Sequence, residues 1–275
     1  MRKIKLARYC IACVLCLIFT SSLQAAPSAN LWSYWDKSNL KSTNVINFNE
    51  WQIFLDTYVV KEKNQTYMRY AKVTDSDKVK LDKMIKNYAS LNILDYNRDQ
   101  QLAYWINMYN ILTVETILKN YPVKSITDID KNWFGVSKVW DQKVIKISGK
   151  YLTLNDIEHR IIRPIWKNPR VHAAVNCASI SCPNLSKDAY QGSEINEQLN
   201  NAFSSWVNSS KGVEIKNNKL YLSEIFNWYG SDFGNQKQMR KFISYYIKNN
   251  KIKQALMGDN NIIYFKDYDW KLNQL

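Results

Sequence analysis

The window from Arg98 to Asn120 constrains the fold more than any other part of the chain. It contains Gln101-Leu102-Ala103-Tyr104-Trp105-Ile106-Asn107-Met108-Tyr109-Asn110-Ile111-Leu112, and Pro122 follows its end. Apolar side chains occur nearly all the way round a helix drawn through it. Such a helix has no face to give to water, so the pattern predicts a central helix enclosed by other elements. Asn107, Asn110 and Glu115 travel inside with it. A polar group taken out of water needs a partner, so each of these is hydrogen-bonded or part of a site.

The remaining elements are shorter. Helices are expected from Asn47 to Val60, with Asn47 and Glu50 forming a capping box, and from Ser76 to Leu91. Lys143–Ile147 and Lys150–Leu152 form a hairpin around Ser148-Gly149. A helix over Asn155–Ile165 follows, with Asn155 and Glu158 at capping-box spacing. Arg170–Asn176 alternates and then turns continuously apolar, which predicts a strand buried on both faces. Beyond it come a helix over Ser193–Asn208, a hairpin around Asn217-Asn218, helices near Ser223–Trp228 and Gln236–Lys248, and a strand near Ile262–Phe265. Helices outnumber strands and the strands come late. The expected class is therefore α+β, one mainly helical domain over 46–275 with a small sheet that includes the Arg170–Asn176 strand and the late hairpins.

The chain opens with a basic cluster (Arg2, Lys3, Lys5, Arg8), an apolar run from Tyr9 to Phe19 and small residues at Ala25 and Ala26. This is the layout of a secretory signal peptide over 1–26, and the run is too short to span a bilayer comfortably. No other stretch is apolar enough to cross one, so the mature chain is expected to lack a transmembrane helix. The expected location is periplasmic or secreted, with an N-terminal extension over 27–45 in which Trp32 and Trp35 pack back. Cys10, Cys13 and Cys16 leave with the leader, and Cys177 and Cys182 remain. An oxidising compartment permits a disulfide between them. The leader takes four of the 38 basic residues and none of the 24 acidic ones, leaving a net charge of +10. That balance suits an anionic envelope substrate or partner. The lysines are scattered rather than clustered, so nucleic acid is not expected.

Chemistry concentrates between Arg170 and Pro183, which holds His172, Cys177, Ser181 and Cys182. A thiolate at Cys177 is a candidate nucleophile, given a base or a positive dipole to lower its pKa. Cys182 precedes Pro183, a residue favoured at the first position of a helix, and a helix there would stabilise a thiolate at Cys182. His172 precedes Cys177 by five residues. On a regular strand that odd offset sends the two side chains to opposite faces, so His172 serves Cys177 only across a bulge or turn. His159 and Arg163 form a second base-and-cation pair one helical turn apart. Two histidines and two cysteines would suffice for zinc, but their spacing is loose and no acidic cluster adjoins them, so no metal and no other cofactor is expected. There is no C-x-x-C redox motif, no glycine-rich phosphate loop and no G-x-S-x-G elbow.

Tyr104 to Asn110, Leu154 to Arg163, Arg170 to Leu185 and Trp228-Tyr229-Gly230-Ser231-Asp232-Phe233 resemble, in that order, the bacterial and plant family catalogued as domain-of-unknown-function family 547. The resemblance spans about Asp95 to Tyr246 and implies no assigned activity. It implies that polar residues on three elements converge on one pocket. Three readings stand at this point. In the first, a cysteine-dependent hydrolase or acyl-transfer enzyme acts on an amide or peptide in the cell envelope. Cys177 is its nucleophile, His172 or His159 its base, and Glu158 and Asn107 are orienting groups. Asn110, Arg163, Ser181 and Cys182 contact the substrate. In the second, a non-enzymatic binding module carries a structural Cys177–Cys182 disulfide. In the third, the pair cycles as a thiol-redox protein.

Overall fold

The computed structural model describes residues 27–258 and 262–275. The expected signal peptide lies outside them. The elements run α1 (Asn49–Tyr58), β1 (Val59–Glu62), β2 (Gln65–Met68), α2 (Asp75–Ala89), α3 (Arg98–Asn120), β3 (Ile145–Ile147) and β4 (Lys150–Leu152). A π-helical segment Asp156–Ile162 leads into α4 (Arg163–Trp166) and a 3-10 turn Pro169–Ala173. Then come α5 (Ile195–Val207), β5 (Val213–Lys216), β6 (Lys219–Leu222), α6 (Ile225–Trp228), α7 (Gln236–Tyr246), α8 (Asn250–Met257) and β7 (Ile263–Phe265). The α+β class holds. Two antiparallel hairpins and a three-stranded sheet, in which β7 pairs parallel to β6, are spread among the helices.

Helix α3 is central, as its pattern requires: every residue from Gln100 to Leu118 is buried. At 23 residues it is about 35 Å long at the usual helical rise. The Asn97 side chain caps its first turn by accepting from the Gln100 N–H. Trp35 packs edge-to-face on Trp105 with ring centroids 5.1 Å apart, so the segment before α1 closes one side of the core. A second apolar cluster gathers Phe203, Trp206, Phe226 and Phe233 around α5, α6, α7 and the β5–β6 hairpin. Both late turns follow their sequence: Ser148-Gly149 and Asn217-Asn218 hold positive φ at both positions, as tight hairpins demand. Among the described residues, no helix is long and apolar enough to cross a membrane.

Three local expectations are corrected. Arg170–Asn176 is not a strand. Pro169 fixes the start of a 3-10 turn, Asn168 caps it by accepting from the Arg170 N–H, and the chain then coils toward Cys177. Its apolar residues are buried because the turn is enclosed, which an apolar run alone does not distinguish from a sheet. No helix begins at Pro183, so Cys182 has no helix dipole. The capping boxes also differ. Asn47 accepts from Asn49 N–H ahead of α1, and Thr153 and Asp156, not Asn155 and Glu158, exchange the reciprocal bonds that open the π-helical segment.

A proline just beyond the π-helical segment shapes its far end. Pro164 has no N–H to give, so Arg160 O loses its helical donor, and His159 O loses its own because Arg163 N–H goes to Glu158 O. They accept instead from Asn30 N–H and Trp32 N–H, at 2.9 Å each. The 27–45 segment thus hydrogen-bonds to the π-helical stretch. There the N–H of Arg163 donates back to Glu158 O, five residues earlier. Wide turns of this kind are frequent at functional sites.

Candidate active site

Glu158, His159, His172, Cys177 and Cys182 line one cleft of about 1230 Å³. The π-helical stretch supplies the first two, and the 3-10 turn with the loop after it supplies the rest. The cleft therefore joins side chains far apart in sequence through backbone features that proline dictates at Pro164 and Pro169.

Arg163 anchors the polar network behind the cleft. Its Nε and one terminal nitrogen donate to the two Asp232 carboxylate oxygens at 2.6 and 3.0 Å. Its other terminal nitrogen donates to Pro27 O at 2.6 Å and to His159 Nδ1 at 3.0 Å. A planar fork suits this set of acceptors, and a lysine would not satisfy it. Because Arg163 only donates, His159 Nδ1 accepts, and the ring proton sits on Nε2. Burial pushes the His159 pKa down, and the Arg163 charge acts in the same direction. With its free lone pair already used, His159 is poorly placed to act as a base.

His172 is arranged differently. Its Nε2 lies 2.8 Å from Asp232 Oδ2. Burial raises the Asp232 pKa, but the hydrogen bonds from His172 and Arg163 outweigh it and hold the carboxyl well below the usual carboxylate range. An ionised acceptor fixes the proton on Nε2 and leaves a lone pair on Nδ1. The ring stacks on Tyr229 with centroids 4.4 Å apart, which locks its plane. Nδ1 lies 3.9 Å from Glu158 Oε1, the same distance that separates Glu158 from His159 Nδ1.

Cys177 lines the same cleft. Both cysteines are free thiols, with no disulfide between them. The Cys177 N–H donates to Cys182 Sγ at 3.1 Å. Ser179 Oγ and the Tyr268 hydroxyl each lie 3.2 Å from Cys177 Sγ. Hydrogen bonding from the Cys182 thiol, then from Ser179 and Tyr268, outweighs desolvation and lowers the Cys177 pKa. Cys182 moves the other way, because burial and the neighbouring sulfur both raise it. The pair therefore holds one proton on Cys182 and favours a thiolate at Cys177. Ala178, next in the chain, sits at φ 64°, in the left-handed region where glycine is more at ease. The C-terminal segment holds this turn in place: Asn273 N–H donates to Ala178 O, and Ile180 N–H donates to Lys271 O, both at 2.8 Å.

The other candidates support the backbone. Asn107 bonds the N–H and carbonyl of Tyr190, at 3.0 and 2.8 Å. Asn110 donates to Ala174 O at 2.9 Å and accepts from Asn176 N–H at 2.8 Å, pinning both ends of the bend before Cys177. Ser181 Oγ accepts from Asp269 N–H and so fastens the C-terminal segment. None of these three lines the large cleft, and neither does Arg163. Asn110→Ala strands two buried backbone groups, so a stability loss of about 2–4 kcal/mol is expected in urea unfolding. A loss under about 1 kcal/mol would show that the bend holds itself.

Residue-by-residue reading of the sequence missed Tyr229, Asp232, Ser179 and Tyr268. Tyr229 and Asp232 stand in the Trp228–Phe233 motif, where a single acid follows two aromatics. Tyr268 lies in Asp267-Tyr268-Asp269-Trp270, whose alternation of acids and aromatics was a usable signal. Among the described residues, no three or more histidine, cysteine, aspartate or glutamate side chains are placed to hold a metal ion.

No curated protein and no solved structure matches the chain. The family model described as "Protein of unknown function, DUF547" matches residues 93–207. The match takes in α3, the π-helical segment and the whole His172–Cys182 loop, and ends before Tyr229, Asp232 and Tyr268. The match to this family thus covers both histidines and both cysteines of the cleft, in agreement with the resemblance carried by the first three motifs.

Proposed function

We propose that this protein is a cysteine-dependent hydrolase or acyl-transfer enzyme, exported by its leader and acting on an amide or peptide. The observation that carries this reading is that one cleft is lined both by Cys177, whose sulfur lies 3.2 Å from the Ser179 and Tyr268 hydroxyls, and by a His172 imidazole oriented by Asp232. A carboxylate that fixes the tautomer of a histidine, opposite a nucleophile, is the arrangement acyl transfer uses.

In the proposed reaction the Cys177 sulfur attacks the substrate carbonyl carbon. The Cys177 thiol gives its proton to His172 Nδ1 as the attacking thiolate forms, so the imidazolium carries that proton. The C–N bond then breaks, and the leaving amine takes that proton. Water replaces the amine, His172 Nδ1 accepts a proton from it, and the resulting hydroxide attacks the thioester carbon. The carboxylic acid departs and Cys177 recovers its proton. The Tyr268 hydroxyl, which burial keeps protonated, is a donor at the reacting sulfur. The backbone N–H groups of Cys177 and Ala178 are already donated to Cys182 Sγ and Asn176 Oδ1. Oxyanion stabilisation therefore falls to side chains or to the substrate's own rearrangement of this turn.

Iodoacetamide labelling of the exported protein across pH 4–10, with the modified residue mapped by mass, tests this reading. One labelled site is expected, at Cys177, with an inflection below the ~8.5 of a free cysteine. An intact Cys177–Cys182 disulfide in the exported protein, or an inflection at the free-cysteine value, would sink it and favour the binding-module reading.

A further inference from the structure

The chain carries a formal charge of +14, yet its cleft is acidic. The cations that line it are engaged: Arg160 pairs with Asp156 at 2.8 Å, and Lys266 pairs with Glu214 at 3.3 Å. Asp141, Glu158, Glu224 and Asp267 also line it, and among the described residues no lysine or arginine pairs with any of them. Glu158 is only 6% exposed, and no described residue donates a hydrogen bond to its carboxylate. Its nearest charged-group neighbours are the Nδ1 atoms of His159 and His172, each 3.9 Å away, so a buried carboxyl lining the cleft lacks a hydrogen-bond donor from the protein.

A wall of aromatic rings adjoins these carboxylates. Trp140 meets Trp270 at 5.6 Å, Trp270 meets Tyr268 at 4.5 Å, and Tyr268 meets Trp228 at 4.7 Å between ring centroids. All four rings line the cleft and are half-buried. Tyr268 joins the wall to the Cys177 sulfur. Ring faces are electron-rich, and they hold ammonium groups best where water is partly excluded. Carboxylates around such faces add charge attraction and draw cations inward. A basic protein gains nothing in solubility from a cleft of opposite sign.

We propose that the cleft beside Cys177 is a subsite for an organic ammonium group, seated on the Trp140–Trp270–Tyr268–Trp228 wall and countered by Asp141, Glu224 and Asp267. The inference rests on the Cys177 reading in one respect, that the ammonium belongs to the amide or peptide presented to the thiol.

Two measurements separate the subsite from the thiol chemistry. First, Cys177 is labelled with methanethiosulfonates bearing a trimethylammonium, a sulfonate or no charge. The cation-to-anion rate ratio is expected to fall at least tenfold in the triple variant Asp141→Asn, Glu224→Gln, Asp267→Asn. It should also fall as salt rises. A ratio unchanged by the three substitutions overturns the proposal.

Second, Cys177→Ser protein is titrated with tetramethylammonium at constant ionic strength while tryptophan fluorescence is read. A saturable change that Trp270→Leu removes supports the subsite even if Cys177 proves inert, which would sink only the thiol reading. No saturable change, or one seen with a neutral disaccharide instead, overturns it.

Discussion

Asp232→Asn is expected to slow deacylation of Cys177 by about three to four orders of magnitude. The protein is acetylated with p-nitrophenyl acetate, and loss of the acetyl mass is followed in time. Attack on so activated an ester needs only the thiolate, so acylation should change little. Deacylation needs a base to take a proton from water. In the native site Asp232 accepts from His172 Nε2 at 2.8 Å, which in the neutral ring leaves the lone pair on Nδ1, 3.9 Å from Glu158 Oε1. An asparagine that kept its oxygen toward the Arg163 terminal nitrogen would turn its NH2 toward Nε2, and would give up the Arg163 Nε bond that Oδ2 also accepts. The imidazole proton would then move to Nδ1 and the base would be lost, with little change in shape. His172→Gln should be no more severe than Asp232→Asn by more than about tenfold, because members of one catalytic unit are not additive. Deacylation within tenfold of native in Asp232→Asn would remove His172 from the mechanism.

The parts of the fold that were legible in the sequence are those governed by local chemistry. Helix α3 declared itself because burial on every side leaves a pattern that no surface helix shows. The two hairpin turns were readable from residues that tolerate positive φ. The His172 loop was misread because an apolar run is compatible with both a strand and an enclosed 3-10 turn, and only Pro169 and Asn168 favoured the turn. The error carried a functional cost. On a strand, His172 and Cys177 point apart, whereas on the coiled loop both open into the same cleft.

Asp232 and Tyr268 were harder to find, because nothing local marks them. They enter the site through contacts that span sixty and ninety-one residues, with His172 and Cys177 respectively. Glu158 was assigned to a cap on spacing alone. The cap went instead to Thr153 and Asp156, two residues earlier in the chain, and Pro164 opened the helix behind them. Glu158 was thereby released to face the two histidines.

Arg163→Met is expected to cost about 3–5 kcal/mol at neutral pH, the range for leaving a buried charge without its partner. The Arg163 side chain is 3% exposed, and it meets both Asp232 oxygens, Pro27 O and His159 Nδ1. Methionine fills much of the volume but satisfies none of these acceptors. Arg163→Lys restores the charge without the fork and should recover only part of the loss. The pH dependence distinguishes this account from a simple packing defect. Asp232 has a depressed pKa in the folded protein, so its stabilisation is present above the unfolded value of ~3.9 and is lost as pH falls through the folded value. Removing Arg163 raises the folded value toward the unfolded one and deletes that contribution. The stability gap between native and Arg163→Met should therefore be full at pH 7 and narrow progressively below about pH 4. Urea unfolding at pH 7, 5 and 3 measures it. A gap that stays constant into acid would mean that the arginine serves through packing and its bond to Pro27, with Asp232 held by His172 alone.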